Sequence, residues 1–368
     1  MDQRKGALII MAAACLSISQ GGYTTGRAAA RRPMRFVVVD LGRLPDCLET
    51  TPTAINNEAQ IVGYCAKGAA GDAGGTVHAF VWLNGTIKPL RTLGWEDSAA
   101  LGINDRGDIV GYAGRAVRTG FKVADLDLSF PAVAWPAVLN KTPGEWSQQI
   151  PMRLGPANGV ALGINNLRAI VGQIGTAYLY RSGRFSRLHF KKAVGINDGG
   201  DIIGYNYVPD RQIGEADTKQ HGFLWHHGAY VALKPANGIY AAPAAINRAG
   251  LVAGTAYFAN GHNHACVWNG GVFRDLGTLG GNNSEATALN GDGVVVGAAE
   301  GRDGKNRACL WLGDQVIDLN ASVEGHIDGM LAKASGINDK QEIVGYGYVP
   351  KAAGIFGFVL KPQGPSAE

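Results

Sequence analysis

The residues with the clearest capacity for chemistry lie in short polar turns that recur along the chain. Two turns read Asn-Asp-x-Gly-Asp, with Asp105 and Asp108 in one and Asp198 and Asp201 in the other. Calcium takes about six to eight oxygen ligands, and such loops supply some of them. The same residues also fit a hairpin turn in which the Asn side chain bonds the backbone. Because related turns lack the second acid, we prefer the hairpin and predict no metal and no cofactor, with calcium as the alternative.

Three histidines share one position of a repeated pattern and could be read as a metal ring. They are His78, His221 and His264. In a repeat protein they would lie on separate units, too far apart for bonds of about 2 Å to one zinc ion. We therefore predict that they form hydrogen bonds at the start of a strand.

A tryptophan also recurs at one position of the pattern, and such a set could stack on sugar rings. One Trp per unit at a fixed position is more typical of a core between neighbouring sheets. We predict this core role for Trp82, Trp135, Trp225, Trp268 and Trp311. Trp95 lies outside the pattern and is a candidate for an exposed contact.

The repeated pattern pairs an Asn with a Gly seven residues later, at seven places in the chain. The asparagines are Asn56, Asn104, Asn165, Asn197, Asn247, Asn290 and Asn338. Each copy continues into an aromatic segment such as His78–Trp82, and several copies carry an Asp-Leu-Gly segment. Every segment is short, β-branched or aromatic, and bounded by turn residues, so each unit predicts four strands.

Seven four-stranded units of about 48 residues favour a seven-bladed β-propeller. We predict an all-β fold with a single domain over residues 34–362 and a disordered tail over 363–368. A strand at Arg35–Gly42 precedes the first unit, and the chain ends on a strand near Leu360. The N-terminal strand is therefore expected to pair with the last strand and close the final blade, which leaves no exposed sheet edge.

Composition agrees with such a fold. The 368 residues include 54 glycines, and 46% are hydrophobic while 17% are charged. A net charge of +4 with scattered basic residues gives no basic stripe, so we predict no nucleic-acid partner. The sequence contains no G-x-S-x-G elbow, phosphate-binding loop or H-E-x-x-H helix, and no catalytic residue is predicted.

The combination of motifs resembles a known family. Gly-Ile-Asn, Ile-Val-Gly-Tyr, His-Ala-Phe-Val-Trp and Asp-Leu-Gly-Thr-Leu-Gly-Gly recur in fixed order between Arg35 and Leu360. They look like the bacterial extracellular repeats of the HAF family, although only His78-Ala79-Phe80 keeps the naming triplet intact. The resemblance implies an exported β-repeat protein and no established catalytic residues.

The N-terminus predicts export. Positive residues in 1–5 precede an apolar run over 7–18, as in a secretory signal peptide, which we assign to residues 1–30. Cleavage before Arg31 gives a free chain, whereas a lipoprotein box ending at Cys15 gives a lipidated one. The protein is then secreted, periplasmic or an outer-membrane lipoprotein, with the lipid as its membrane contact.

The remaining cysteines are consistent with an oxidising compartment. Cys47 and Cys65 flank the first repeated hairpin and could form a disulfide, whereas Cys266 and Cys309 occupy positions that are aromatic in other units. Those two are expected to be buried apolar residues.

Ligand binding is predicted on the side of the domain that carries the long, variable loops. The candidate binding residues are Trp95, Lys122, Asp125, Asp127, Asp210, Arg211 and Glu215. The leading hypothesis is a monomeric, non-catalytic scaffold that binds a macromolecule or glycan at the cell envelope or outside the cell. Alternatives are a carbohydrate-active hydrolase or lyase, and a structural surface component.

Overall fold

The computed structural model describes residues 34–67, 76–92, 94–95, 97–114, 131–135, 152–209, 218–325, 328–349 and 354–363. The predicted signal segment with Cys15 and residues 364–368 of the predicted tail lie outside them. Residues Met34–Glu368 form one compact unit. Among the described residues, no helix combines the length and apolar character that a membrane crossing requires.

The described residues form 29 strands and a single 3₁₀ turn at Leu319–Ser322. The first strand is β1, Phe36–Asp40, and the next two groups are β2–β5 (unit 1: Glu49–Ile55, Ile61–Lys67, Thr76–Leu83, Thr86–Pro89) and β6–β9 (unit 2: Asp97–Ile103, Ile109–Gly114, Pro131–Trp135, Met152–Asn158). Then come β10–β13 (unit 3: Val160–Ile164, Ile170–Ile174, Thr176–Arg181, Arg184–Arg187) and β14–β17 (unit 4: Lys192–Ile196, Ile202–Pro209, Thr218–His226, Ala229–Ala232). They are followed by β18–β21 (unit 5: Gly238–Ile246, Val252–Phe258, Asn263–Asn269, Val272–Asp275) and β22–β25 (unit 6: Gly280–Leu289, Val295–Gly301, Asn306–Leu312, Gln315–Asp318). The last are the short β26 (Val323–Glu324) and β27–β29 (unit 7: Met330–Ile337, Ile343–Val349, Gly354–Pro362).

Each unit is an antiparallel meander in which consecutive strands are hydrogen-bonded neighbours. Units 4 and 5 are joined into one larger sheet by a single parallel bridge between His221 and Ala241. Unit 7 has three strands of its own and takes β1 as its fourth, with Val38 opposite Leu360. Beyond this pair, the Gln363 N–H donates to the carbonyl of Arg35, so residue 363 of the predicted tail continues the pairing. The prediction of an all-β chain of four-stranded sheets is confirmed.

One glycine in the second strand of each unit, which follows Ile-Val or an equivalent apolar pair, is required by a close backbone approach. In every unit the first strand carries a bulge opposite this glycine, for example between Ala286 and Ala288 opposite Gly297. A Cβ added to Gly297 would lie 2.0 Å from the carbonyl oxygen of Glu285. A Cβ added to any of the other six glycines would lie 1.9 to 2.3 Å from a first-strand carbonyl oxygen; they are Gly63, Gly111, Gly172, Gly204, Gly254 and Gly345.

The hydrophobic core lies between successive units. Trp268 of unit 5 is buried with Ile203 of unit 4, and Trp311 of unit 6 is buried with Val267 of unit 5. Trp82 packs in the same way with Val344 of unit 7. Trp225 is half-buried against the cluster between units 3 and 4, and the side chain of Trp135 lies outside the described atoms. The repeat tryptophans whose side chains are described, Trp82, Trp225, Trp268 and Trp311, therefore occupy packed interfaces rather than a row open to sugars.

The cysteines differ in their state. Cys47 and Cys65 are joined by a disulfide, which was one of the pairings that the sequence allowed. Cys266 and Cys309 are free and buried, and burial raises the pKa of both thiols well above the usual value. These two side chains therefore act as small apolar core residues.

Gly297→Ala should destabilise the domain, because the new methyl group must displace the Glu285 carbonyl at the bulge. We expect a loss of about 2 kcal/mol or more in the free energy of unfolding, measured by denaturant titration. Gly85→Ala is the matched control, since Gly85 has a φ of +83° and nothing within 4 Å of an added Cβ. Its cost should be limited to backbone strain of about 1 kcal/mol. Equal losses in the two variants would contradict the steric explanation.

Replacing both Cys47 and Cys65 with Ser should lower the free energy of unfolding by about 2 to 4 kcal/mol, because the bond closes a segment with a sequence separation of 18. Thermal unfolding with and without a reductant measures this. The reductant should lower the melting temperature of the native chain but not that of the double variant. A native chain that is insensitive to reductant would contradict a stabilising bond.

Candidate functional site

The turn between the first and second strands has the same backbone geometry in every unit. In unit 2 the Asn104 N–H donates to the Asp108 carbonyl, and the Gly107 N–H donates to the Asn104 carbonyl. The Asn104 Oδ1 accepts the N–H groups of Arg106 and Asp108. The residue three after the Asn has a positive φ in all seven turns, although it is Ala59, Arg168 and Gln341 in units 1, 3 and 7. The Asn side chain therefore folds the turn even where glycine is missing.

The amide nitrogen of the same Asn links each unit to the next. Asn56 Nδ2 donates to the carbonyl of Asn104 at 2.9 Å, and Asn104 Nδ2 donates to that of Asn165 at 3.0 Å. The bond recurs from unit 3 through unit 6, at 2.9 to 3.3 Å. Asn338 Nδ2 then donates at 3.1 Å to the carbonyl of Asn56, 282 residues earlier. We call these seven bonds the asparagine relay; all seven side chains are buried.

In six of the seven units, the residue after the relay Asn takes part in a second, outer set of contacts. Asn57 N–H donates to Asp105 Oδ1, Asp105 N–H to Asn166 Oδ1, and Asn166 N–H to Asp198 Oδ1, at 2.8 to 2.9 Å. Asp339 N–H donates to Asn57 Oδ1 at 2.8 Å. Carboxylates and amides thus alternate along a polar arc of five residues, Asp339, Asn57, Asp105, Asn166 and Asp198, which are half-buried or exposed.

The relay and the polar arc line a cavity of about 430 Å³. Residues from the first-to-second-strand turns of all seven units contribute to its wall, including Arg248 and Gly291 at the two remaining positions. The Gly291 N–H donates to Asp339 Oδ1 at 2.7 Å. Arg248 is exposed, and among the described residues nothing pairs with its guanidinium. With three carboxylates and one cation, the lining carries a net negative charge and many hydrogen-bonding groups.

In the two turns for which calcium was the alternative, the second acid accepts hydrogen bonds from other donors. Asp108 Oδ2 accepts from Asn104 Nδ2 at 3.0 Å and from Arg168 Nε at 2.9 Å. Asp201 Oδ2 accepts from Asn197 Nδ2, and its Oδ1 lies 2.5 Å from His226 Nδ1. These contacts use oxygens that a calcium ion in the turn would need as ligands.

Two of the repeated histidines, His78 and His264, have separate local partners. His264 Nδ1 lies 2.7 Å from Asp275 Oδ2 on the neighbouring strand, and His78 Nε2 lies 3.3 Å from Thr76 Oγ1. Burial, with a smaller contribution from the Lys67 charge, lowers the pKa of His78. His78 thus forms the predicted hydrogen bond at the start of its strand. His264 instead pairs across strands with the Asp of an Asp-Leu-Gly motif.

The candidate residues of the long-loop side are mostly outside the described part of the chain. This applies to Lys122, Asp125, Asp127, Asp210, Arg211 and Glu215. Trp95 is described, with 40% of its surface exposed, and its carbonyl accepts from Thr92 Oγ1 at 2.8 Å. Binding on this side stays a prediction.

The structure adds residues that the sequence analysis did not single out. Asn57, Asn166, Arg248 and Asp339 join Asp105 and Asp198 around the cavity, although each simply follows a relay Asn. The repeat pattern could have indicated them, because the residue after each relay Asn occupies the same turn position in every unit, and equivalent turns of a repeat lie at one end of the sheets. A second addition is His226 and His227, whose hairpin turn lies beside the Asp201 turn.

Asn165→Asp should destabilise the domain by about 2 to 3 kcal/mol, because a carboxylate cannot donate to the buried Asn197 carbonyl and adds a buried charge. The measurement is the free energy of unfolding at neutral pH. Asn260→Asp is the control, since the Asn260 Oδ1 accepts from the His262 N–H and a carboxylate keeps that bond. A relay variant as stable as the control would show that the amide donor contributes nothing.

No family model matches the chain, and no curated protein matches it. Among solved structures, the chain is similar to the β-propeller domain of the Trilobed protease from Pyrococcus furiosus, at 13% identity and a TM-score of 0.53 over 91% of this chain and 99% of that one. Weaker similarities include TolB from Acinetobacter baumannii (12% identity, TM-score 0.38, 83% and 80% coverage) and the Trypanosoma rangeli sialidase (9%, 0.43, 90% and 58%). At these identities the first similarity shows the fold alone, and that fold is a β-propeller.

Proposed function

We propose that this chain is an exported, seven-bladed β-propeller that acts as a non-catalytic binding scaffold for a neutral or amino-bearing glycan. The observation that carries the proposal is the polar arc around the 430 Å³ cavity. The blade count, the closure, the export and the ligand are all part of the proposal.

Two hydrogen bonds between the first and last units support a closed ring of seven blades. Asn338 bonds Asn56 in the relay, and Ser335 Oγ donates to the Pro52 carbonyl at 2.6 Å. The second bond repeats the one that Thr53 makes to the Ala100 carbonyl at 2.8 Å between units 1 and 2. Since units 7 and 1 meet as consecutive units do, we infer that they are neighbouring blades, with β1 completing the last.

The chemistry of the polar arc favours a ligand rich in hydroxyl groups. A hydroxyl both donates and accepts, so it can bond a carboxylate and the amide beside it at the same time. The arc offers this pairing at Asn57 with Asp105 and at Asn166 with Asp198. The net negative lining disfavours acidic sugars, because two like charges in a partly desolvated site repel.

The disulfide supports the exported location. Disulfides persist in the periplasm and outside the cell and are rare in the cytosol, and Cys47–Cys65 is formed here. The HAF-like motifs and the N-terminal apolar segment agree with this location, and a lipid on Cys15 remains the alternative to free release.

A glycoside-cleaving enzyme is the second candidate, and one observation favours it. Asp105 Oδ2 and Asp198 Oδ2 lie 3.0 and 3.1 Å from the same nitrogen, Asn166 Nδ2, so two carboxylates flank one point of the cavity wall. Glycoside hydrolases use a pair of carboxyl groups about 5 to 10 Å apart. Binding is preferred because both carboxylates accept hydrogen bonds from N–H groups, whereas a general acid must hold a proton.

A panel of immobilised neutral, amino-bearing and acidic oligosaccharides, followed by calorimetry with the best binder, tests the proposal. We expect neutral or amino-bearing sugars to bind and Asn166→Ala to weaken binding at least about tenfold, since that amide bridges two carboxylates. Glu58→Ala is the matched control, because this exposed side chain belongs to the same kind of turn but does not line the cavity.

Two outcomes would overturn the proposal. Binding that survives Asn166→Ala but is lost when residues 115–130 are deleted would place the ligand on the long-loop side. Release of shorter sugars by the native chain, abolished in Asp105→Asn or Asp198→Asn, would establish the hydrolase instead.

A further inference from the structure

The two histidines of the third hairpin turn in unit 4 lie beside an acid of the neighbouring turn. Trp225 is paired with Ile202 in the sheet register, so the next residues outward, His226 and Asp201, face each other. His226 Nδ1 and Asp201 Oδ1 are 2.5 Å apart. The side chain of Asp201 is 14% exposed and that of His226 is 55% exposed, so the pair is open to solvent on the histidine side.

His227 comes into the same cluster through the shape of its turn. Successive side chains of a strand point to opposite faces. His227, however, has a φ of +46° and precedes Gly228 at +89°, the left-handed pair of a two-residue hairpin. The two imidazole rings therefore meet at a centroid distance of 4.3 Å. Asp201, His226 and His227 each offer one possible ligand atom, and these three atoms lie within 4.8 Å of one another.

The carboxylate of this cluster is already oriented by a neighbouring residue. Asn197 Nδ2 donates to Asp201 Oδ2 at 3.0 Å, and the Asp201 N–H donates to Asn197 Oδ1 at 2.9 Å. Oδ1 is thereby turned toward the histidines. Metal sites commonly fix their ligands through such second contacts.

We propose that Asp201, His226 and His227 form a binding site for a first-row divalent metal ion such as Zn²⁺. Two imidazole nitrogens and one carboxylate oxygen are ligands that this class of ion accepts. Ligand atoms on one tetrahedral ion stand about 3.3 Å apart at bonds of about 2 Å, so small side-chain rotations suffice. The ion replaces the His226–Asp201 hydrogen bond, and its remaining coordination positions face solvent.

Equivalent positions in other units do not carry this set of ligands. The residues that face each other there are Gln60 and Leu83 in unit 1, Val294 and Leu312 in unit 6, and Glu342 and Lys361 in unit 7. The hairpin position of His227 is held by Asn84 and Ser182 in units 1 and 3. The site is therefore a property of unit 4 rather than of the repeat.

Zn²⁺ titration of the purified, metal-stripped chain without an oligohistidine tag tests the site, by competition with a zinc-binding dye and by the visible absorption of Co²⁺ in its place. We expect one ion per chain, and at least about a tenfold weaker affinity in His226→Ala, His227→Ala and Asp201→Asn. His189→Ala is the control, because His189 is exposed and lies outside the cluster.

Circular dichroism of each variant shows whether it is folded. If Asp201→Asn disturbs the turn, the zinc affinity of His227→Ala tests the site instead. Failure of the native chain to bind a stoichiometric ion would overturn the proposal. So would unchanged affinity in folded His226→Ala and His227→Ala variants, or an equal loss in His189→Ala.

Discussion

One hydrogen bond, from the side-chain amide of an Asn to the main-chain carbonyl of the next Asn, organises this molecule. The same side chain performs two functions, because its oxygen folds the local turn while its nitrogen holds the neighbouring unit. Asparagine combines an acceptor and a donor on one short rigid group, which Asp, Ser and Thr cannot offer in the same geometry. Buried as it is, each amide is costly to leave unpaired, so the bond sets both the turn and the spacing of the units.

The bulge in each first strand belongs to the same constraint. It brings a carbonyl such as that of Ala99 to within 1.9 Å of the place where a Cβ on Gly111 would stand, so only glycine fits in the second strand. The seven glycines and seven asparagines therefore act together: the glycine admits the bulge, and the Asn at the end of the bulged strand contacts the next unit. Large residues such as Trp268 then fill the space between units.

With the scaffold fixed by these positions, the residue that follows each relay Asn is free to vary. The residue at this position differs between units, as Asp105, Arg248 and Gly291 show, while the turn keeps the same hydrogen bonds. Variation on a repeated frame gives the cavity its mixed polar lining, and the same freedom at the outer hairpin gives unit 4 its two histidines. In both proposals the binding groups thus lie beside the structural positions rather than at the asparagines and glycines themselves.

The sequence by itself determined the repeats and their strands, because these follow from local periodicity and turn chemistry. It also predicted the pairing of β1 with β29, because the segment before the first repeat has the pattern of the strand that the last repeat lacks. It also indicated buried tryptophans and the Cys47–Cys65 pairing. It did not show that the Asn amides bond from unit to unit, or that Asp105, Asn166 and Asp198 meet around one cavity. Nor did it bring His226 and His227 to Asp201. Those contacts join residues 25 to 282 positions apart, and only the tertiary arrangement of the sheets decides them.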